Sequence, residues 1–446
     1  MMKMHKLALL LALLAAALAV SCSDAAGGAI RAQLTRPDAG RGLTRRQLLR
    51  RMVRRSKARA ERLLSAASGS SPASASAVPG KGQAIDTEYL VSFAIGTPPQ
   101  PVQATLDTGS DLIWTQCQPC LSCYAQALPY YDPNLSATSV PLPCDAAACQ
   151  QLDLSSCGER KWGNRTCVYT YSYGDRSVTT GRLDADTFTF DGDAGHAAVS
   201  GLAFGCGYFN NGLFSSNTTG SGIAGFGRGV LSLPSQLRVD NFSYCFTNVT
   251  GSAPSPVLLG LPADLYDSAS GAAQTTRLIQ SSVNPTFYYL SLKSITVGSA
   301  TLPVPESAFA LRGNGSGGTI IDSGTSVTLL PPLVYGLLHD AFVSQVDLPV
   351  TNDEPLCFAV SSLSSGKKQE VPKLELQFDG ATLDLPRENY VFEMEDGGRS
   401  NICIAIMSSG GGGMTIIGNY QQQNLHVLYD LAGNNLSFVP AHCDRV

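Results

Sequence analysis

The sequence predicts an all-β fold built as two related lobes. Three observations carry that expectation. Gly (44) and Pro (25) are plentiful in 446 residues and punctuate short runs rich in β-branched residues, which suits many strands over long helices. Hydrophobic residues make up 44% and charged residues only 15%, enough apolar material for a sizeable core. One strand-and-turn pattern occurs twice, some two hundred residues apart.

In chain order, the first element is a short apolar segment. Lys3, His5 and Lys6 precede an unbroken apolar run from Leu7 to Val20. Such a run is short for a bilayer span and suits a secretory signal peptide, assigned to residues 1–23. Small residues from Ser21 to Ala26 offer several cleavage points, and a short membrane anchor is the competing reading. No later run of comparable length appears and the C-terminus lacks a hydrophobic tail, so the expected product has no stable membrane anchor and travels the secretory pathway. It is expected outside the cell, in the apoplast, with the vacuole as the other destination.

Residues 24–82 form a basic leader. From Asp24 to Lys81 there are 13 Lys/Arg against 3 Asp/Glu, whereas from Gly82 onward there are 16 against 32. Thr44 is positioned to cap a helix running to about Leu64, with Leu48, Leu49, Met52 and Val53 as an apolar stripe among arginines. Ser65 to Gly80 then reads as a cleavable linker. A basic amphipathic helix also suits a membrane surface, nucleic acid or a solvated tail. A secreted route argues against nucleic acid. The charge split favours a prosegment that docks on the acidic body, covers its cleft and is released when acid protonates the body's carboxylates.

The body carries the duplicated pattern. Tyr89 to Ile95 alternates apolar and polar residues, and a second run, Pro101 to Leu106, delivers Asp107-Thr108-Gly109-Ser110. The later copy begins at Tyr289-Leu290 and reaches Gly318-Thr319-Ile320-Ile321 before Asp322-Ser323-Gly324-Thr325. Ile223-Ala224-Gly225 follows the first copy and Ile416-Ile417-Gly418 the second. Two aspartates brought close cannot both ionise easily; they share a proton and their titrations split, as in the pepsin pair that serves as the standard example. Such a pair activates water without a metal or a covalent nucleophile.

These motifs resemble the pepsin family of aspartic proteases, over about Asp86 to Val446. The resemblance implies a bilobal fold, lobes at 83–246 and 247–446, and a cleft for extended polypeptide substrates. Asp107 and Asp322 would be catalytic, with no metal and no organic cofactor. Thr108, Gly109, Ser110, Ser323, Gly324 and Thr325 would support them. Tyr173 falls at the flap tyrosine that closes over substrate, and Trp114 at its hydrogen-bond partner. The same resemblance implies a precursor activated by acid, a monomer, and a preference for apolar side chains beside the cut.

Thirteen cysteines suit an oxidising compartment, Cys22 lying at the signal peptide. Cys117, Cys120 and Cys123 have a spacing that also occurs in zinc sites, but no matching His/Cys set completes one. The cysteine pattern resembles the nepenthesin-type plant branch. That implies pairs Cys117–Cys120, Cys123–Cys206, Cys144–Cys167, Cys149–Cys157, Cys245–Cys443 and Cys357–Cys403. Seven sequons, at Asn134, Asn164, Asn217, Asn241, Asn248, Asn314 and Asn435, agree with a glycosylating route.

Other hydrolase signatures are absent: there is neither G-x-S-x-G nor H-E-x-x-H. Gly220 to Gly225 matches G-x-G-x-x-G but lacks the strand a nucleotide site requires before it. The rival function comes from xylanase-inhibitor proteins, which resemble this branch and carry disrupted catalytic motifs. Here both Asp triplets are intact, which favours an endopeptidase.

Overall fold

The computed structural model describes residues 29–67 except 40, and 89–446 apart from 159–164, 174–176, 193–194, 213–219, 263–264, 268, 361–368, 397–398 and 411–412. The signal-peptide assignment, most of the linker, Asn164 and Asn217 lie outside the described residues.

Strands dominate. A continuous hydrogen-bonded network runs through both lobes, with two smaller four-stranded sheets in the second. In the first lobe, Leu90–Ile95 pairs antiparallel with Gln100–Asp107, and a long hairpin of Val178–Gly192 and Gly195–Asn211 supplies the lobe's outer wall. Alternation along Leu90–Ile95 sends Val91, Phe93 and Ile95 into the core, as a period of two requires; Leu90, on the other face, is buried as well. The second lobe adds the longest body helix, Pro332–Val343, opened by Pro332 in its first turn. Its buried face, Val334, Leu338 and Phe342, packs into the second-lobe core.

The lobes are joined by a shared sheet. Asn241–Cys245 lies between Ser255–Leu259 and the second-lobe strand Leu425–Asp430, which in turn pairs with Asn435–Pro440. Aromatic rings seal the junction: Tyr89 stacks on Phe246 at 3.9 Å and Phe242 on Tyr429 at 4.3 Å. Contacts of this kind add about 0.5–1.5 kcal/mol beyond area burial.

The leader is part of this architecture. Its strand, Ile30–Thr35, pairs antiparallel with Ser255–Leu259 along five residues and with Leu90–Ile95 at Leu34 and Thr35. Ala32 and Leu34 are buried. Arg36 then donates to the carbonyls of Val249 and Gly251, and Asp38 pairs with Arg51 at 2.6 Å.

The leader helix spans Arg45–Ala67, three residues beyond the expected end. Its start is a capping box: Gln47 N–H donates to Thr44 Oγ1 at 3.2 Å and Thr44 N–H to Gln47 Oε1 at 2.9 Å. Leu48, Leu49 and Met52 are buried against second-lobe residues that include Phe287, Tyr289 and Phe392, while Val53 is partly covered.

All twelve described cysteines are in disulfides, and four of the six pairs correct the sequence expectation. The bonds are Cys117–Cys206, Cys120–Cys123, Cys144–Cys157 and Cys149–Cys167; the implied Cys117–Cys120, Cys123–Cys206, Cys144–Cys167 and Cys149–Cys157 do not form. Strand register is the reason for the first two. Trp114–Gln116 runs parallel to the long hairpin with Thr115 opposite Cys206, and Cys117 N–H donates to Gly207. Cys117 therefore arrives beside Cys206, which leaves Cys120 and Cys123 to close their own short loop. Cys157 faces Cys167 across a ladder, yet each bonds to a cysteine of the preceding loop, Cys144 and Cys149. Cys245–Cys443 and Cys357–Cys403 form as the resemblance implies.

Candidate active site

Each aspartate sits at the end of a strand that runs parallel to an apolar-apolar-Gly strand. Gln100–Asp107 pairs with Gly222–Gly225, placing Asp107 opposite Gly225. Thr319–Ile321 pairs with Thr415–Ile417, and Asp322 N–H donates to Ile417 at 3.0 Å. The repeated downstream elements noticed in the sequence are thus the strands that hold the two Asp loops. The G-x-G-x-x-G match is the buried strand Gly222–Gly225 and its approach.

The two loops are bound to each other in near-symmetric fashion. Thr108 N–H donates to Ser323 Oγ at 3.0 Å, and Ser323 N–H donates to Thr108 Oγ1 at 2.9 Å. Gly109 N–H reaches Asp107 Oδ1 at 2.9 Å and Gly324 N–H reaches Asp322 Oδ1 at 3.1 Å. Ser110 and Thr325 donate their hydroxyls to Asp107 Oδ2 and Asp322 Oδ2, both at 2.5 Å. Both aspartates are fully buried.

The six supporting residues are therefore brought together around one pair of carboxylates. Gly in each triplet leaves room for the groups that meet there, Arg59 included. A Cβ at Gly109 would lie 3.0 Å from Asp322 Oδ1, and one at Gly324 would lie 2.6 Å from the guanidinium carbon of Arg59.

Arg59 is the residue that sequence reading missed. It projects from the leader helix into the centre of the site. Its Nε donates to Asp322 Oδ2 at 2.5 Å and its Nη2 to Asp322 Oδ1 at 2.8 Å. Nη1 donates to Asp107 Oδ2 at 3.2 Å, and Nη2 also bonds Asp107 Oδ1. One planar guanidinium thus spans both carboxylates. Burial alone would raise the Asp107 carboxyl; the Arg59 charge and hydrogen bonds, with those of Ser110 and Gly109, hold it below the usual carboxylate range. Burial would lower Arg59, but the charges of Asp107 and Asp322 hold it above its ordinary value.

A signal for Arg59 did exist. It lies seven residues after Met52, on the stripe that continues through Ser56, and is a basic residue on the face that packs. Ser56 belongs to the same contact: Val327 N–H donates to its hydroxyl at 2.8 Å, beside the second Asp loop.

Trp114 Nε1–H donates to Tyr173 Oη at 2.8 Å, and both rings are buried in the first-lobe wall. Burial pushes the Tyr173 phenol well above its ordinary value, so it stays protonated. Residues 174–176 of the adjoining hairpin lie outside the described residues. A cavity of about 510 Å³ opens between Asp107, Tyr173, Thr286 and Phe287. A larger cavity, about 1340 Å³, lies on the second lobe near Lys373, Asp384 and Arg387 and reaches neither aspartate.

Comparison with known proteins fits this geometry. Residues 89–261 match the family described as Xylanase inhibitor N-terminal, and residues 287–440 its counterpart, Xylanase inhibitor C-terminal. Aspartic proteinase nepenthesin-1 of Nepenthes gracilis is 44% identical over 411 residues, covering 91% of this chain and 88% of the relative. The chain belongs to the nepenthesin-type branch of the plant pepsin-like aspartic proteases. Aspartic proteinase nepenthesin-2 of the same plant is 41% identical, with 93% and 90% covered. Aspartyl protease family protein 2 of Arabidopsis thaliana is 40% identical, with 80% and 71% covered. Among solved structures, that of edgp superposes with a TM-score of 0.66 at 18% identity, covering 92% of this chain and 94% of that one. The soybean Basic 7S globulin gives 0.63 at 18%, with 93% and 97% covered. These two structures share the bilobal fold with this nepenthesin-type chain.

Proposed function

We propose that this aspartic protease is an acid-acting endopeptidase that is secreted as a precursor and held inactive by its own leader through Arg59. The observation that carries the reading is the single guanidinium bridging Asp107 and Asp322. It sits on the groups that would handle the proton, and its charge favours the anionic form of the Asp107 carboxyl, which in that form donates no proton.

The chemistry follows once the leader is gone. Two carboxylates held by mirrored hydrogen bonds then share one proton. The ionised member takes a proton from a water, and the water oxygen attacks the peptide carbonyl carbon as the protonated member donates to the carbonyl oxygen. Collapse of the tetrahedral intermediate breaks the C–N bond, with a proton delivered to the departing nitrogen. Ser110 and Thr325 stabilise the outer oxygens, and the Trp114–Tyr173 pair steadies the hairpin over substrate. An extended polypeptide is the substrate class that a cleft between two lobes accommodates, and apolar side chains beside the cut remain the expected preference.

The inhibitor reading, suggested by the xylanase-inhibitor family descriptions, is less well supported, because both Asp loops keep the full hydrogen-bond set described above.

The experiment compares the secreted precursor with an Asp107→Asn version, both shifted from pH 7 to about pH 3.5 with a denatured protein substrate, with and without pepstatin. Leader loss and pepstatin-sensitive cleavage are expected in the parent. In Asp107→Asn the rate should fall by about 10²–10⁴. A folded parent that cuts nothing but binds a glycosidase would replace this reading with the inhibitor one.

A further inference from the structure

Asp111 follows the first Asp loop directly and belongs to none of the groups above. Its side chain joins segments from both lobes. Oδ1 accepts from Gly229 N–H at 2.8 Å, on the first lobe, and Oδ2 accepts from Thr286 Oγ1 at 2.6 Å, on the second. Beside this bridge, Arg228 N–H donates to the Thr286 carbonyl at 3.0 Å, and the Arg228 guanidinium donates to Asn434 at 2.8 Å.

The first-lobe loop is shaped around this carboxyl. A Cβ at Gly227 would lie 2.3 Å from Asp111 Oδ1, and one at Gly229 would lie 2.3 Å from Oδ2. At Gly225 it would lie 2.2 Å from the Asp111 backbone oxygen. The same loop is tied to the dyad: Phe226 N–H donates to the Asp107 carbonyl at 2.7 Å and Gly227 N–H to the Ser110 carbonyl at 2.9 Å. Asp111, Thr286 and Phe287 all line the cavity beside Asp107. Burial raises the Asp111 carboxyl against the pull of its two hydrogen bonds, which marks it as a group enclosed for its bonding and not for solvation.

We propose that Asp111 is a positioning residue: it latches the second-lobe segment around Thr286 to the dyad-bearing first lobe and so fixes the cleft wall that receives substrate on that side. It acts through Thr286 and Phe287 and touches neither reacting atom. As a determinant of substrate fit it rests on the proteolytic reading; as a latch between lobes it does not.

Two measurements separate those levels. In the full-length precursor carrying Asp107→Asn, so that no self-cleavage intervenes, hydrogen exchange is followed over 225–229 and 284–287. Asp111→Ala removes both acceptors and should quicken exchange there by about tenfold or more, in line with a half-buried donor left without its partner on each lobe. Asp111→Asn should rescue it to within about threefold, because the amide oxygen still accepts from Gly229 and the amide nitrogen donates to Thr286. Equal exchange in Asp111→Ala and its parent would overturn the latch with no reference to activity.

In the activatable chain, Asp111→Ala should raise KM about tenfold for peptides long enough to fill the cavity, while KM for peptides that stop short of it, and kcat for both, stay within about threefold. Equal losses on both lengths would overturn the assignment of Asp111 to this wall. An activated parent that cuts neither peptide would overturn the proteolytic reading, and the exchange result alone would then decide the latch.

Discussion

A buried guanidinium shared by two buried carboxylates makes Arg59 the most consequential side chain of the leader. Removing one partner of such an arrangement costs about 3–5 kcal/mol, because the remaining charges stay buried without compensation. The sign of the pH effect follows from Asp107. Its carboxyl is held below the ordinary range while Arg59 is present, so the stabilisation of the docked leader is complete above the range in which the leader-free pair titrates and is lost as pH falls through the lowered value. With Arg59→Gln the carboxylates lose their cation and the leader should leave at higher pH. The midpoint of leader cleavage should rise by about one to three pH units; an unmoved midpoint would show that the guanidinium is not the lock. The aspartates and their hydroxyl neighbours were legible because each is written next to the other in a triplet that recurs. Arg59 was not, because one arginine among many becomes special only through its azimuth on a helix and the depth to which that helix sinks.

The leader helix shows what a sequence pattern conveys about an element and what it leaves out. Its cap at Thr44 and its stripe of Leu48, Leu49 and Met52 follow from local chemistry. Its docking partner, the second-lobe surface of Phe287, Tyr289 and Phe392, is set by contacts hundreds of residues away. The disulfide corrections have the same origin. Cys117 meets Cys206 through strand register, a long-range property that cysteine spacing does not encode. Because the helix docks by burial, Met52→Ala should weaken docking by about 2–5 kcal/mol. At a fixed pH near 5, leader cleavage should then run at least about tenfold faster, whereas Arg50→Ala on the exposed face should leave the rate unchanged. Equal rates in all three proteins would mean that the ion pairs alone hold the leader.

At the scale of the whole molecule, the two-lobe plan was readable from the duplication, but the depth to which leader and body interpenetrate was not. The shared sheet also carries a titrating group. His426 lies buried on Leu425–Asp430, its Nδ1 3.4 Å from Ser243 Oγ, and burial lowers it to about 4. The fold keeps it neutral while an unfolded chain protonates it near 6.5, so its contribution is complete above about pH 6.5, declines as pH falls to about 4, and is level below that. In an Asp107→Asn background, His426→Gln should lose less urea resistance between pH 7 and pH 4 than its parent; an identical loss would place the acid sensitivity elsewhere. The leader strand raises a different matter. Ile30–Thr35 is hydrogen-bonded on one side to Ser255–Leu259 and on the other to Leu90–Ile95, so it is an interior member of the sheet that unites the lobes. A chain that folds with this strand in place and later loses it has crossed its folding barrier with a helper that is no longer attached. If the leader is removed as proposed, forward and reverse routes would differ, and the cleaved protein would show hysteresis: its persistence would rest on the rate at which it unfolds, and once unfolded it would lack the strand with which it folded.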